Sequence, residues 1–594
     1  MVRRTFDLLE RYKAYFPDKP DALAGKQNGS WVTYSSREYI EKANQVSYGL
    51  MALGFKSGDK IATISNNRPE WNFVDMGMAQ LGVIHVPVYP TISYDDFTYI
   101  FRHSEPAMLI VSDKQLNEKL KPITQKIPSI KDIYTFNQVN GAKNWMEILE
   151  LGKENAERFI HELDEIKASI KPSDMVTLIY TSGTTGVPKG VMLSHQNLVS
   201  NFIATAQLHS IPPSGKALSF LPLCHVYERM VNYHFQYKGI GIYYAENMGT
   251  LLENMQEIHP SIFLTVPRLL ERIYAGIIGK GKDLPLLKKM IFFWAVNLGL
   301  RYEHDHRNGL LYDLSLKIAD KLIFSKWREV IGGNVTYIVC GGAALQERLE
   351  RIFCAARITI LQGYGLTETS PVIAVNDPSK NNFKIGTVGT VLEDVDLKIS
   401  DDGEILCKGP NVMMGYYKDP VLTSEVIDKE GWFHTGDVGV FVDKIFLKIT
   451  DRKKEIFKLS SGKYVAPQII ENKCKESFFI EQVMVIGENE KFASAIISPN
   501  FNFLHNWCSR HGVSFRDNFE LITIPKVIAR YQREISHINK TLGQTEQLKR
   551  FRLVAEEWSQ NTGELSPTLK LKRKSICDKY REIIDDIYAV KNGD

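Results

Sequence analysis

Along the first 170 residues the pattern of apolar and polar positions switches repeatedly between two periods. Apolar runs at 60–65, 83–88 and 107–112, bounded by turn residues, predict buried strands. Residues 36–51, and the segment opening with Asn66-Asn67-Arg68-Pro69-Glu70-Trp71, are amphipathic at helical spacing and predict helices. Strands alternating with helices predict an α/β fold with doubly wound sheets, whose ligands sit at the carboxyl ends of strands. Apolar runs at 175–180, 190–193, 263–268 and 336–345 extend the pattern. From about residue 384 short strands and turns take over, predicting a small barrel-like β subdomain over about 384–450. Residues 455–594 read as a separate α+β domain, with strands at 483–487 and 494–497 followed by charge-rich helices. The expected division is therefore 1–450, a hinge at 451–454, and 455–594.

One stretch fits neither period. Thr181, Ser182, Gly183, Thr184, Thr185, Gly186 and Lys189 fall between two predicted strands, followed by Ser194 as a helix N-cap. Glycines let backbone N–H groups approach an anion, hydroxyls donate to phosphate oxygens, and a lysine adds a mobile charge. The Walker pattern requires a strand–helix junction and Gly-Lys-Ser/Thr spacing, and this stretch has neither. A hairpin loop without a ligand is the bland alternative.

Composition narrows the class. At 594 residues, with 44% hydrophobic and 24% charged residues, the chain predicts a folded protein of several domains. A net charge of +4 gives no indication of a nucleic-acid partner. Seven scattered cysteines without a Cys-x-x-Cys pair predict reduced thiols and a cytoplasmic protein. The N-terminus has no apolar segment of secretory type. The longest apolar segment, 290–300, is too short to span a bilayer and predicts a buried or pocket-lining helix. Because Lys288 and Lys289 precede it, peripheral contact with the cytoplasmic face of a membrane is the alternative.

Other candidates are weaker one by one. His225, within Leu221–Arg229, reads first as a hydrogen-bonded core histidine. The small residues Gly341, Gly342 and Ala343 end a strand where a flat base could lie. Gln362-Gly363-Tyr364-Gly365-Leu366-Thr367-Glu368 offers an aromatic face, a hydroxyl for phosphate and a carboxylate able to hold Mg²⁺. Asp437 reads as a turn aspartate, unliganded by default and able to grip ribose hydroxyls. The charges at 451–458 suit a solvated face or an interdomain linker.

Taken together and in order, the 180–190 loop, the 363–368 block, Thr435-Gly436-Asp437, Asp451-Arg452-Lys453-Lys454-Glu455 and the late Lys570 closely resemble the AMP-forming adenylating superfamily of acyl-CoA synthetases, luciferases and peptide-synthetase adenylation domains. The resemblance covers nearly the whole chain. Residues 66–71, 221–229, Tyr244-Ala245-Glu246, 458–467 and 567–573 are most similar to bacterial-type long-chain fatty acyl-CoA synthetases. Two departures stand out. Residues 441–448 lack the family's Pro and Gly before the hinge, and Ser566 replaces a commoner Thr.

The resemblance implies ATP-dependent activation of a long-chain fatty acid through an acyl-adenylate, then transfer to coenzyme A with release of AMP. Thr181 to Gly186 with Lys189 would hold phosphates, and Glu368 with Thr181 would hold Mg²⁺. Gly342, Ala343, Gln362, Gly363 and Tyr364 would frame adenine, with Thr367 beside the phosphates. Asp437 and Arg452 would hold ribose, Lys458 would contribute to the nucleotide site, and Lys570 would bridge carboxylate and α-phosphate. His225 would line the acyl and thiol site. Lys454 would be the pivot of a mobile C-terminal lid. Lys572, Arg573 and Lys574 read as solvated surface, with CoA phosphates the alternative. Transfer to a carrier protein, a different carboxylic acid, or a non-catalytic binding protein are the rival functions. Chain-length preference and oligomeric state are left open.

Overall fold

In a computed structural model, which describes residues 1–182, 187–304, 308–378, 382–566 and 569–589, the chain forms a large N-terminal α/β domain and a smaller C-terminal domain. Two large sheets make up the first. The eight-stranded sheet runs Gly415–Tyr416, Pro188–Ser194, Met175–Ser182, Ile84–Pro87, Lys60–Ile64, Met108–Val111, Asp132–Thr135, Lys143–Asn144. Its centre is parallel, and Pro188–Ser194 pairs antiparallel with Met175–Ser182. The nine-stranded sheet has a parallel run through Gly241–Tyr244, Lys216–Ser219, Ile262–Thr265, Tyr337–Cys340 and Thr359–Gly365.

Helix Pro69–Leu81 is buried along its whole length, and helix Val226–Lys238 along most of it. A helix buried all round must satisfy its polar residues internally, which explains the paired Asp75 and Arg229 described below. Proline at the first turn of Pro69–Leu81 gives up only an N–H that has no helical partner. The predicted helix start at Ser194 is realised as a capping box, with Ser194 Oγ accepting from the N–H of Asn197 at 3.1 Å.

The region after 384 is an antiparallel sheet of four strands, Asp396–Ile399, Glu404–Lys408, Phe433–Val442 and Phe446–Arg452. Two short strands leave it: Thr390–Val391 joins the nine-stranded sheet and Gly415–Tyr416 the eight-stranded one. The 441–448 departure falls on the tip of this sheet's hairpin, where Asp443 and Lys444 take positive φ. Asp437 is not in a turn. It lies within a strand, 4% exposed, because alternate residues of Phe433–Val442 face the core. Asp451 and Arg452 likewise end a strand rather than a solvated run.

The C-terminal domain packs helices Phe501–Arg510 and Pro525–Asn539 on a sheet of Ile480–Ile486, Ser494–Pro499 and Arg550–Leu553. It meets the large domain mainly through polar contacts. Arg268 pairs with Glu481, Gln346 Nε2 donates to the carbonyl of Lys475 at 3.4 Å, and the rings of Tyr274 and Phe478 stack at 6.4 Å.

Candidate active site

The phosphate-loop candidates extend from a hairpin whose register pairs Thr181 with Lys189. Gly183, Thr184, Thr185 and Gly186, with the side chain of Ser182, lie outside the described residues. Lys189 leans toward the neighbouring Gly415–Tyr416 strand, its Nζ 5.3 Å from the centre of the Tyr416 ring. Tyr416 Oη in turn donates to Glu368 Oε1 at 2.9 Å. Glu368 sits on the short 3-10 turn Thr367–Thr369 that follows strand Thr359–Gly365. A side chain at Gly365 would place its Cβ 1.7 Å from the carbonyl oxygen of Pro371, so only glycine permits this turn to pack. Thr367 is buried in the same turn. Tyr416 was legible in the sequence only as part of a β stretch. Its approach to Lys189 arises from strand pairing across more than two hundred residues, and its bond to Glu368 spans 48 residues.

A second group lies beside the first. Asp437 accepts from Tyr364 Oη at 2.8 Å and pairs with Arg452 Nε at 3.0 Å, the two strands holding Asp437 opposite Arg452 in register. Asp437 raises the Arg452 guanidinium further, and burial pushes the Tyr364 phenol far above its ordinary range. Gln362 is buried one residue from Gly363, and its Oε1 meets no hydrogen-bond partner among the described residues. Gly342 and Ala343 are exposed at the end of strand Tyr337–Cys340, Gly342 with φ 81°.

Lys570 belongs to the C-terminal domain. Its residue keeps open surface toward solvent, yet surrounding protein desolvates the ammonium and, with Arg452 nearby, lowers it to about 8. Asp437, Glu455 and Glu368 act in the opposite sense, which sets Lys570 within electrostatic reach of both groups. His225 lies within electrostatic reach of Lys570. Burial, and then Lys570, lowers its imidazole to about 4. His225 caps helix Val226–Lys238, Nδ1 accepting from the N–H of Tyr227 at 3.2 Å, so the neutral ring carries its proton on Nε2. Asn67 holds the preceding loop, donating to the carbonyl of Leu221 at 2.6 Å and accepting from the N–H of Leu223 at 3.0 Å.

The remaining candidates fall at the edge. Lys454 is exposed, and Lys458 is exposed on a two-stranded ribbon with its Nζ 5.6 Å from the ring of Tyr464. Arg573 is committed elsewhere, Nε to Glu455 at 2.9 Å and Nη2 to Glu471 at 2.8 Å, which argues against its serving as a free anion contact.

Residues 9–417 match the model of the AMP-binding enzyme family, and residues 454–592 that of the AMP-binding enzyme C-terminal domain. The chain belongs to the AMP-binding enzyme family. It is 31% identical over 588 residues to long-chain-fatty-acid–CoA ligase FadD15 of Mycobacterium bovis, spanning 96% of this chain and 95% of that protein. It is 32% identical to human long-chain-fatty-acid–CoA ligase 1, over 96% and 83% of the two chains. The adenylation domain of a Segniliparus rugosus carboxylic acid reductase, solved with AMP and a co-purified carboxylic acid, shares the fold with a TM-score of 0.75. Its identity is 21%, over 99% of this chain and 94% of that one.

Behind the site, this AMP-binding enzyme carries a buried polar network that sequence reasoning missed. Asp75 Oδ1 pairs with Arg229 Nη2 at 2.5 Å and accepts from His85 Nδ1 at 2.6 Å, while Asp75 Oδ2 accepts from Tyr233 Oη at 2.5 Å. Arg229 Nη1 donates to Thr177 Oγ1 at 2.6 Å, tying the network to the strand that leads into the candidate phosphate loop. Burial alone would raise the Asp75 carboxyl. Arg229, His85 and Tyr233 outweigh it and hold the group below its usual range. The only sequence signal was charged and polar residues inside otherwise apolar helices.

Proposed function

We propose that this AMP-binding enzyme activates long-chain fatty acids with ATP and passes the acyl group to coenzyme A. The reading is supported by Lys570, from the C-terminal domain, lying within electrostatic reach of Asp437, Arg452, Glu368 and His225. The acyl class rests on the full-length relatives named as long-chain-fatty-acid–CoA ligases.

In the first half-reaction a fatty carboxylate oxygen attacks the α-phosphorus of ATP, and the bond from that phosphorus to the bridging oxygen of pyrophosphate breaks. Such transfer needs alignment and charge neutralisation more than an acid or base. Lys189 and the 181–186 segment would hold the departing phosphates, Asp437 and Arg452 the ribose, and Tyr364 with Gly342, Ala343, Gln362 and Gly363 the base. Lys570 would bridge carboxylate and α-phosphate, its charge acting more strongly in a desolvated cleft. In the second half-reaction the CoA sulfur attacks the acyl carbonyl and the bond to AMP breaks, beside His225. Rotation about the exposed Lys454 would withdraw Lys570 between the steps.

A bound Mg²⁺ would neutralise phosphate charge. Glu368 and Thr181 supply hard oxygen donors, with Tyr416 orienting Glu368. Among the described residues no cage of three or more ligating side chains forms. A single carboxylate suits an ion that shares its coordination with substrate phosphates. A cytoplasmic location is part of the proposal, supported by seven free cysteines.

The test separates the half-reactions. Lys570→Ala should lower fatty-acid-dependent ATP–pyrophosphate exchange by about 10²–10³-fold while leaving CoA transfer from supplied acyl-adenylate within about threefold. Equal loss in both would remove the role of Lys570. Absence of exchange by the wild-type enzyme with every long-chain acid would sink the substrate class, and transfer only to a holo-carrier protein would sink the role of CoA.

A further inference from the structure

The turn that carries His225 is closed at its base by one short hydrogen bond. Ser219 ends strand Lys216–Ser219, Glu228 stands in the first turn of helix Val226–Lys238, and Ser219 Oγ donates to Glu228 Oε1 at 2.5 Å. Asn67 fills the loop between them. Its Nδ2 donates to Ser219 Oγ at 3.1 Å and to the carbonyl of Leu221, and its Oδ1 accepts from the N–H of Leu223. A carbonyl on one side and an N–H on the other fix the orientation of this amide, so the single Ser219 proton is left for Glu228. Asn232, one helical turn on, donates from Nδ2 to the same Glu228 Oε1 at 3.2 Å.

The other carboxyl oxygen is idle. Glu228 is 1% exposed, and its Oε2 meets no hydrogen-bond partner among the described residues. A carboxylate in the first turn of a helix is ordinarily kept ionised by free backbone N–H groups. Here His225 takes the N–H of Tyr227, and Glu228 accepts from a hydroxyl and a side-chain amide. The titratable groups facing it are phenols, Tyr227 on its own helix and Tyr244 on strand Gly241–Tyr244, both raised far above their ordinary range by burial. Neighbouring Arg229 is paired with Asp75 of helix Pro69–Leu81, and His225 is neutral. A full negative charge with one oxygen unpartnered in a dry core costs far more than a neutral carboxyl. Burial accordingly raises the group to about 8.

We propose that Glu228 is a positioning residue which, as an uncharged carboxylic acid, clamps both ends of the turn and so sets the position of His225. The proposal rests on the placement of His225 beside the thiol-transfer step in the function proposed above. Gln offers the same carbonyl acceptor with an N–H in place of the acid O–H, whereas Leu has neither.

The test follows CoA transfer from supplied acyl-adenylate by the full chain, a step that does not call on Lys570. Near pH 7, Glu228→Gln should keep kcat within about threefold, and Glu228→Leu should lower it about tenfold with a smaller change in the KM for CoA. Ser219→Ala, which removes the donor and leaves the carboxyl, should lower the same kcat about fivefold. As pH rises through about 8 the wild-type kcat should fall relative to that of Glu228→Gln, titrations common to both cancelling in the ratio. A second readout needs no activity. The carboxyl loses its proton at about 4.5 in the unfolded chain and at about 8 in the folded one, so stability from this group is full below 4.5 and is lost as pH rises. Between those values the wild-type urea midpoint should drift downward relative to that of Glu228→Gln. A Gln variant as impaired as the Leu variant overturns the proposal, because the turn would then need a charged carboxylate. So does a folded Leu variant that transfers like wild type, or a midpoint difference that does not move with pH. A wild type that transfers nothing to CoA sinks the function proposed above, and the midpoint drift still decides whether Glu228 is uncharged.

Discussion

The molecule contains the same trio of residue types twice, and the two copies behave in opposite ways. Asp75, Arg229 and Tyr233 join helices Pro69–Leu81 and Val226–Lys238 behind the site. Asp437, Arg452 and Tyr364 join strands at its mouth. The side chains of Arg229 and Asp75 are 0% and 2% exposed, and the Arg229 donors are spent on Asp75, Thr177 and Tyr233. Arg452 is 35% exposed, pairs with Asp437 from Nε at 3.0 Å and lies within electrostatic reach of Lys570. A saturated trio in a dry environment is scaffold, because removing one member strands a buried charge. An unsaturated trio at a cleft is available to a ligand. What differs is how many hydrogen bonds the fold has already used.

Breaking the first trio should have the largest effect. Asp75→Ala leaves Arg229 buried without its counter-ion and should cost about 3–5 kcal/mol of stability, measured as a fall in the urea midpoint. A loss below about 1 kcal/mol would mean that the network is not scaffold.

His85 sharpens the same point through pH. Burial lowers its imidazole from 6.5 to about 4 against the pull of Asp75. Between those values the unfolded chain binds a proton that the folded chain does not, so stability is full above pH 6.5 and falls as pH drops toward 4. At about 1.4 kcal/mol per pKa unit the loss from this residue is about 3.5 kcal/mol. His85→Gln should flatten the slope of unfolding free energy against pH in that window, and an unchanged slope would free His85 from the network.

The second trio should respond in binding instead. Asp437→Ala should raise the KM for ATP about tenfold, near 1.4 kcal/mol, with a smaller fall in the urea midpoint than Asp75→Ala produces. A large stability loss with an unaltered KM would make the two trios alike and remove the distinction drawn here.

Much of this was legible in the sequence, for reasons that are local. The strand–loop–strand around Thr181 and Lys189, the capped helix after Ser194 and the α/β alternation follow from period, turn chemistry and capping, all of which act within a few residues. The family's blocks were legible because glycines, hydroxyls and charges at fixed spacing are costly to keep without a use. Asp437 was read in the right neighbourhood but as a turn residue, because Gly436 beside it resembles turn punctuation.

Other features are set by pairings far apart in the chain. Neither the Tyr416–Glu368 bond, nor the meeting of Asp75 with Arg229, nor the approach of Lys570 to Asp437 has a local signal, since each depends on which sheet edge or domain face ends up adjacent. The same holds for helix Leu286–Gly299, whose sequence is apolar over more than one face. Period and composition determined that it would be a helix with a buried stripe. Only the packing of Phe292, Ala295 and Val296 into the core decided which apolar face remained for something else.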